Sequence, residues 1–348
     1  MMSAAAAAAP PGLPPVTRQQ LLAALAQYRR KHPRAAAALL AVDLGLYAIL
    51  WLSVVLAPAW WMRIPLAALC SMAVARLFVY GHDACHGSAF SSRAANSFAG
   101  RLAFLASLTP FSTWELGHNT LHHGFTNLRG KDYVYTPLSP AEYRTLPAWR
   151  RLVERLYRHP LGPGPCYLVE VWWKKLWFPQ AAHVETVRGV YQADSLLTLT
   201  FLVAQTAIAA RLAETAAAAV FAVLVPFLGW NFLMGFITYQ HHTHPRVVWY
   251  ARRADWDAVA AQVENTVHVE FPPVIGALLG NIMEHTAHHL DVRIPLFELP
   301  AAQRAIESLF PGKVIRVEPW SWRDYAAACR ACQLYDYDER RWLRFADV

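Results

Sequence analysis

Apolar and polar positions divide this chain into long hydrophobic runs separated by stretches rich in histidine and proline. Four runs are candidates to cross a bilayer, which takes roughly 20 consecutive apolar residues. Ala36–Leu56 carries a single charge, Asp43. Trp60–Tyr80 has Arg63 near its start and Arg76 near its end. Ser195–Ala210 is charge-free but short, and reaches a full span if Arg211 extends its guanidinium to the interface. Thr215–Tyr239 is long and charge-free. The pattern predicts an all-α membrane protein with spans near 36–57, 60–80, 194–212 and 215–239, paired into two tight hairpins under a helical cap.

Shorter elements fill the gaps. Thr17 and Gln20 have capping-box spacing. They open an amphipathic helix carrying Leu21, Leu22, Leu25 and Tyr28, expected to lie on the membrane surface. Leu102–Trp114 and Pro272–Met283 are apolar but too short to cross, and Pro110 interrupts the first. Tyr167–Phe178 sets Trp172, Trp173 and Trp177 beside Lys174 and Lys175, an interfacial signature. Residues 1–15 form an Ala/Pro tract, expected to be disordered. Residues 16–348 read as one domain.

Composition agrees with the pattern. The 348 residues are 55% hydrophobic and 16% charged, and mean hydropathy is +0.20. Of 32 Lys and Arg, 29 fall before, between or after the predicted hairpins, which puts both termini and the middle loop in the cytoplasm. An inner membrane of bacterial type is the expected location. The basic pI near 9.4 is what this topology and contact with anionic membrane lipids require. No nucleic-acid motif accompanies it. The five cysteines suggest no disulfide framework, and Cys329 and Cys332 form a lone CxxC where a zinc site would need two.

The histidines change the picture. Eleven of the 15 lie in four clusters at the cytoplasmic ends of the spans: His82 and His86; His118, His122 and His123; His241, His242 and His244; His285, His288 and His289. Imidazole is the commonest transition-metal ligand, and i/i+3 and i/i+4 spacing sets two rings on one helix face. Together the clusters offer donors for two metal ions. His32, His159, His183 and His268 are isolated and read as structural. Asp83, Glu115, Glu284 and Asp291 are the acids nearest in sequence, candidates to orient the rings or simply solvated charges. Trp114 and Trp230 are candidates to line a substrate channel, or ordinary core aromatics.

Gly81–His86 (GHDACH), Trp114–His123 (WELGHNTLHH) and Glu284–His289 (EHTAHH) resemble, in order and spacing, the three histidine boxes of the integral-membrane fatty acid desaturases. Gln240–Pro245 (QHHTHP), Trp249-Tyr250 and the tail around Leu334–Tyr337 and Arg341-Trp342 are similar to the acyl-lipid, omega-6-type branch. The resemblance covers residues 60–345. It implies a non-haem centre of two iron ions held by His82, His86, His118, His122, His123, His285, His288 and His289, with O2 as co-substrate. It also implies a ninth ligand just after the fourth span. Gln240 and His244, four apart, could share a face, so His244 is the expected ligand, His242 the competitor, and Gln240 a holder of a metal-bound water. The substrate would be a fatty acyl lipid or free fatty acid. No fused electron-transfer motif is visible, so a separate ferredoxin-type donor is implied. Hydroxylation, or oxidative decarboxylation to a 1-alkene, is the alternative outcome on this scaffold. A membrane metal transporter or sensor is the remote one, since its polar groups would belong near the bilayer midplane.

Overall fold

The computed structural model describes residues 17–348, so the Ala/Pro tract lies outside the described residues. The described chain is mainly helical, with four helices long and apolar enough to cross a membrane. The first, Pro33–Leu56, begins with proline at its first position, where the missing N–H costs nothing. Residues 57–59 join it to the second, Trp60–Cys85, and the two pack together. The third, Arg188–Leu212, and the fourth, Ala216–His242, are likewise joined by residues 213–215 and in contact. Thr215 caps the fourth helix, its hydroxyl accepting from the Ala218 N–H.

Large apolar side chains left outward, among them Val42, Ile49, Leu69, Leu196, Val203 and Val220, clothe these helices. Such a surface suits lipid rather than water. The inward faces meet closely. At Gly229 a Cβ would come within 2.2 Å of the Ser71 hydroxyl, so glycine sets the approach of the fourth helix to the second. Two charged pairs join the helices: Arg76 with Asp43 at 2.9 Å, and Arg101 with the buried Asp194 at 2.6 Å. Asp194 also accepts from the Ser112 N–H at 2.9 Å, tying the third helix to the segment that precedes the second histidine cluster.

That segment is divided. A helix over Arg93–Leu105 ends in a turn with Leu108 at φ 53°, and the chain restarts as Phe111–Glu115 behind Pro110. Beyond the fourth helix the chain forms short helices and two small two-stranded sheets. Val267–Val269 pairs in parallel with Ile315–Val317, and Leu334–Asp336 pairs antiparallel with Arg341–Leu343.

The amphipathic N-terminal helix, Arg18–Leu25, has its capping box but does not lie free. Leu21 and Leu25 are fully buried among Ala287, Leu290, Ile294 and Ile306. Arg29 pairs with Asp291. The helix expected to lie on the membrane surface instead shares a buried cluster, through Leu21 and Leu25, with Ala287 and Leu290 of the helix that carries the last histidine cluster.

Candidate metal centre

Four segments deliver the histidines, each by a different local geometry. The second long helix stays regular to its end, where the His86 N–H reaches the His82 carbonyl at 3.3 Å and both rings share a face. The second cluster lies on a π-helix, Leu116–His122, which follows directly from Phe111–Glu115. The His123 N–H bonds the His118 carbonyl at 3.0 Å, the five-residue spacing of that helix. His118 and His123 therefore point the same way, and His122 is turned aside. In an α-helix His118 and His122 would have been the pair. The fourth long helix ends at His242. The last cluster is a six-residue helix, His285–Leu290, with His285 and His289 one turn apart.

These segments build two adjoining groups. One holds His82, His86, His118, His123 and His288; the other holds His122, His242, His285 and His289. Within each group one potential donor atom per ring lies within 4.8 Å of the others. The groups touch through His122, His123, His288 and His289, with the rings of His123 and His289 4.2 Å apart.

Several Nε2 atoms face each other: His82 and His118 at 2.9 Å, His118 and His123 at 2.9 Å, His123 and His288 at 3.1 Å, and His242 and His285 at 2.9 Å. A metal–imidazole bond of about 2.0–2.1 Å sets neighbouring nitrogens at right angles about 3 Å apart. The spacing fits one shared ion per group. Burial, with help from the neighbouring rings, holds His86, His118, His123, His285, His288 and His289 well below the usual histidine range. Their lone pairs are therefore free to bind metal. Both ring nitrogens of His86 and Nε2 of His289 are shielded from solvent with no protein partner. Buried polar atoms are normally satisfied, and a metal is one way to satisfy these.

His244 joins neither group. The helix stops at His242, and Thr243 is extended at φ −130°, ψ 108°, so the expected four-residue helical relation between Gln240 and His244 does not exist. The His244 ring accepts the Arg246 N–H at 3.1 Å instead. His242 stands where His244 was expected. Gln240 is also committed elsewhere: its carbonyl accepts from the Trp320 indole at 2.7 Å, and its amide donates to the Phe236 carbonyl. His241 stacks on His285 at 3.6 Å and sits outside both groups.

None of the four acids nearest in sequence hydrogen-bonds a clustered histidine. Asp83 accepts from the Leu296 N–H, Asp291 pairs with Arg29 and Arg293, Glu284 pairs with His268, and the Glu115 carboxylate makes no hydrogen bond or ion pair among the described residues. The partner is Asp132, whose carboxylate accepts from His122 Nδ1 at 3.0 Å. Asp132 is buried, and it also accepts from the Asn127 and Val134 N–H groups. A turn with Asn127 at φ 58° and Gly130 at φ 77° brings it back to His122. The sequence signal for it was faint, a lone Asp after a Gly-Lys pair. Thr126 lies 3.2 Å from His289 Nδ1. Among the isolated histidines, His32 bonds Glu298 and His159 accepts from Leu161; the His183 side chain is outside the described residues. His268 is held between Glu284 and Glu307 at 2.8 and 2.6 Å.

An apolar cavity lies against both groups. Phe78, Trp114, Tyr167, Trp230, Met234 and Ile237 form much of its wall, and His82, His118, His242 and His285 reach its edge. Trp114 stacks on His118 at 4.2 Å. Both tryptophans singled out in the sequence thus line one space beside the clusters.

Comparison with known proteins agrees. Residues 58–320 match the family model for fatty acid desaturases. The chain is 30% identical over 310 residues to an sn-1 oleoyl-lipid 12-desaturase of Picosynechococcus sp., covering 88% of this chain and 85% of that protein. It is 30% identical over 287 residues to the chloroplastic omega-6 fatty acid desaturase of Arabidopsis thaliana, covering 80% of this chain but only 61% of that protein. It is 28% identical over 276 residues to an sn-1 acyl-lipid omega-3 desaturase (ferredoxin) of Synechocystis sp., covering 74% of this chain and 70% of that protein. With four apolar helices and these relatives, the chain is an integral membrane oxidoreductase that belongs to the fatty acid desaturase family, of the acyl-lipid, omega-6 type.

Proposed function

We propose that the protein carries out O2-dependent desaturation of a fatty acyl chain at the membrane, with electrons from a separate ferredoxin-type donor. The reading rests on nine histidines, seven buried and two half-buried, gathered into two adjoining groups beside an apolar cavity. Its relatives are named as desaturases of lipid-bound oleoyl and acyl chains, and one is named for ferredoxin. In this reading residues 16–348 act as one unit, since the groups draw on positions from His82 to His289. Both termini and the site face the cytoplasm of a bacterial-type inner membrane, as the distribution of Lys and Arg supports.

His82, His86, His118, His123 and His288 would hold one iron, and His122, His242, His285 and His289 the other. Iron in that setting would supply the reactivity toward O2 needed to break an unactivated C–H bond. The reaction balances when two hydrogens from adjacent CH2 groups, with two electrons and two protons from outside, reduce O2 to two waters. Burial disfavours charge on His86, His118, His123, His285, His288 and His289, so these rings would supply neutral nitrogen donors. Asp132 holds the proton on His122 Nδ1, which turns the Nε2 lone pair toward its group. Phe78, Trp114 and Trp230 pack an apolar wall that excludes water and suits a hydrocarbon chain.

Expression in a host lacking the product fatty acid, followed by gas chromatography, tests the reading. A new double bond that requires O2 and a reduced donor is the expected result. An unchanged acyl profile from metal-loaded protein with donor present would refute it. A hydroxy acid or a volatile 1-alkene in the same run would identify the alternative outcomes.

A further inference from the structure

We propose that a second, polar cavity binds the anionic headgroup of the acyl substrate, with Arg158 as its buried anchor and Lys131 and Lys175 beside it. The assignment builds on the desaturase reading and specifies the substrate's charged end. The cavity has a volume of about 490 Å³ and lies between the helix Ala148–Tyr157 and the π-helix Tyr167–Trp177. Tyr133 and Val171 line both this cavity and the apolar one beside the histidines. Gly117 and Leu121, each next to a clustered histidine in sequence, also line it.

Arg158 is 6% exposed. One terminal nitrogen makes long contacts to the carbonyls of Tyr135 and Thr136, at 3.3 and 3.5 Å. The other, Nη1, is shielded from solvent and has no partner. A buried guanidinium without a full set of acceptors is costly, and an anion relieves that cost. The carboxylates lining the cavity are already engaged. Glu154 and Glu170 pair with Arg150 at 2.7 and 2.9 Å, Glu170 also holds Lys174, and Asp132 serves His122. Among the described residues, Arg158, Lys131 and Lys175 form no ion pair; Lys131 lies over the Phe125 ring at 5.9 Å.

The surroundings suit a lipid. The helix Ala148–Tyr157 exposes Trp149, Leu152 and Leu156 while turning Arg150 and Glu154 into the cavity. Trp173 and Phe178 add exposed aromatics on the neighbouring segment. That is an interfacial helix face, apolar outward and charged inward. A headgroup held by Arg158 would leave its chain facing the wall formed by Tyr133 and Val171. The shared ligand chemistry is an oxyanion, either the phosphodiester of a phospholipid or the carboxylate of a free fatty acid.

The test uses the full chain in a nonionic detergent and measures affinities for oleate, dioleoylphosphatidylglycerol and uncharged dioleoylglycerol. At least one anion should bind more tightly than the neutral lipid. A preference for oleate assigns the carboxylate, and a preference for phosphatidylglycerol assigns the phosphodiester. Lys175→Gln should weaken the preferred anion roughly ten-fold, the scale of one hydrogen bond between charged groups. Arg158→Gln should weaken it at least as much, and Arg158→Lys should restore part of the loss. Should Arg158→Gln fail to fold, Lys175→Gln and Lys131→Gln carry the test. Neutral lipid bound as tightly as both anions, or wild-type anion affinity in both lysine variants, would overturn the proposal. Wild-type protein that binds the anions but yields no oxidised product would instead count against the desaturase reading.

Discussion

The five-histidine and four-histidine groups use the same ring chemistry but are supported differently. In the four-histidine group, His122 is fixed by the buried Asp132 carboxylate and His289 lies against Thr126. In the five-histidine group the rings lean on one another and on an aromatic, with Trp114 stacked on His118 and no carboxylate on any ring. A hydrogen-bonded carboxylate fixes the tautomer and raises the basicity of its histidine. Aromatic stacking orients a ring without fixing its tautomer through a hydrogen bond. Two nearly adjacent groups can thus differ in how firmly each would hold a metal.

The sharpest break in this comparison is His242→Ala set against His244→Ala. The first removes a member of the smaller group and should cost one equivalent of metal and at least about 100-fold in activity, exceeding the effect of losing a ring's supporting partner. The second removes a ring outside both groups and should leave metal content unchanged. Metal analysis of the two purified variants decides between them.

Asp132→Asn comes next. It should weaken metal binding about 10–100-fold at the four-histidine group and leave the other group nearly full, so that titration with a chelator separates two classes of site. Simultaneous loss of both metals would show that the groups are coupled rather than separately supported.

Leu25→Ala acts from outside. Leu25 is fully buried against the helix that supplies His285, His288 and His289, and truncation should cost about 2–5 kcal/mol of stability. Those three rings serve both groups, so thermal unfolding should shift while the ratio of the two metal classes stays fixed.

A smaller effect is tied to pH. Burial disfavours charge on His268, but Glu284 and Glu307 outweigh it and raise its pKa. A raised histidine contributes stability fully below its unfolded value, about 6.5, and loses it as pH climbs through the higher folded value. Thermal midpoints should therefore fall as pH rises above about 6.5, and His268→Gln should flatten that slope. The smallest effect is expected from Glu115→Gln. Glu115 makes no hydrogen bond or ion pair to a clustered ring, so metal content in both classes should be unchanged and stability should stay within about 0.5 kcal/mol.

Much of this molecule was legible in its sequence. The four apolar runs, the pairing of Lys and Arg with the segments between them, and the histidine spacing all depend on local chemistry, and local chemistry is carried by neighbouring residues. The long helices exceed the predicted spans mainly at one end, running on to Cys85 and His242 because the same helices that provide the apolar surface also carry rings. Less visible was the π-helix at Leu116–His122, since its extra residue per turn leaves no mark in hydrophobic periodicity.

What the sequence determined by itself was the supply of donors and the apolar lengths that hold them. Only the tertiary structure decided their partition into five and four, the exchange of His244 for His242, and the choice of Asp132 over four acids closer to the boxes. A helix that stops one residue before Thr243, or a turn that folds Asp132 back onto His122, is set by packing between segments distant in the chain. Spacing along a strand of sequence cannot report contacts that arise only when those segments close on one another.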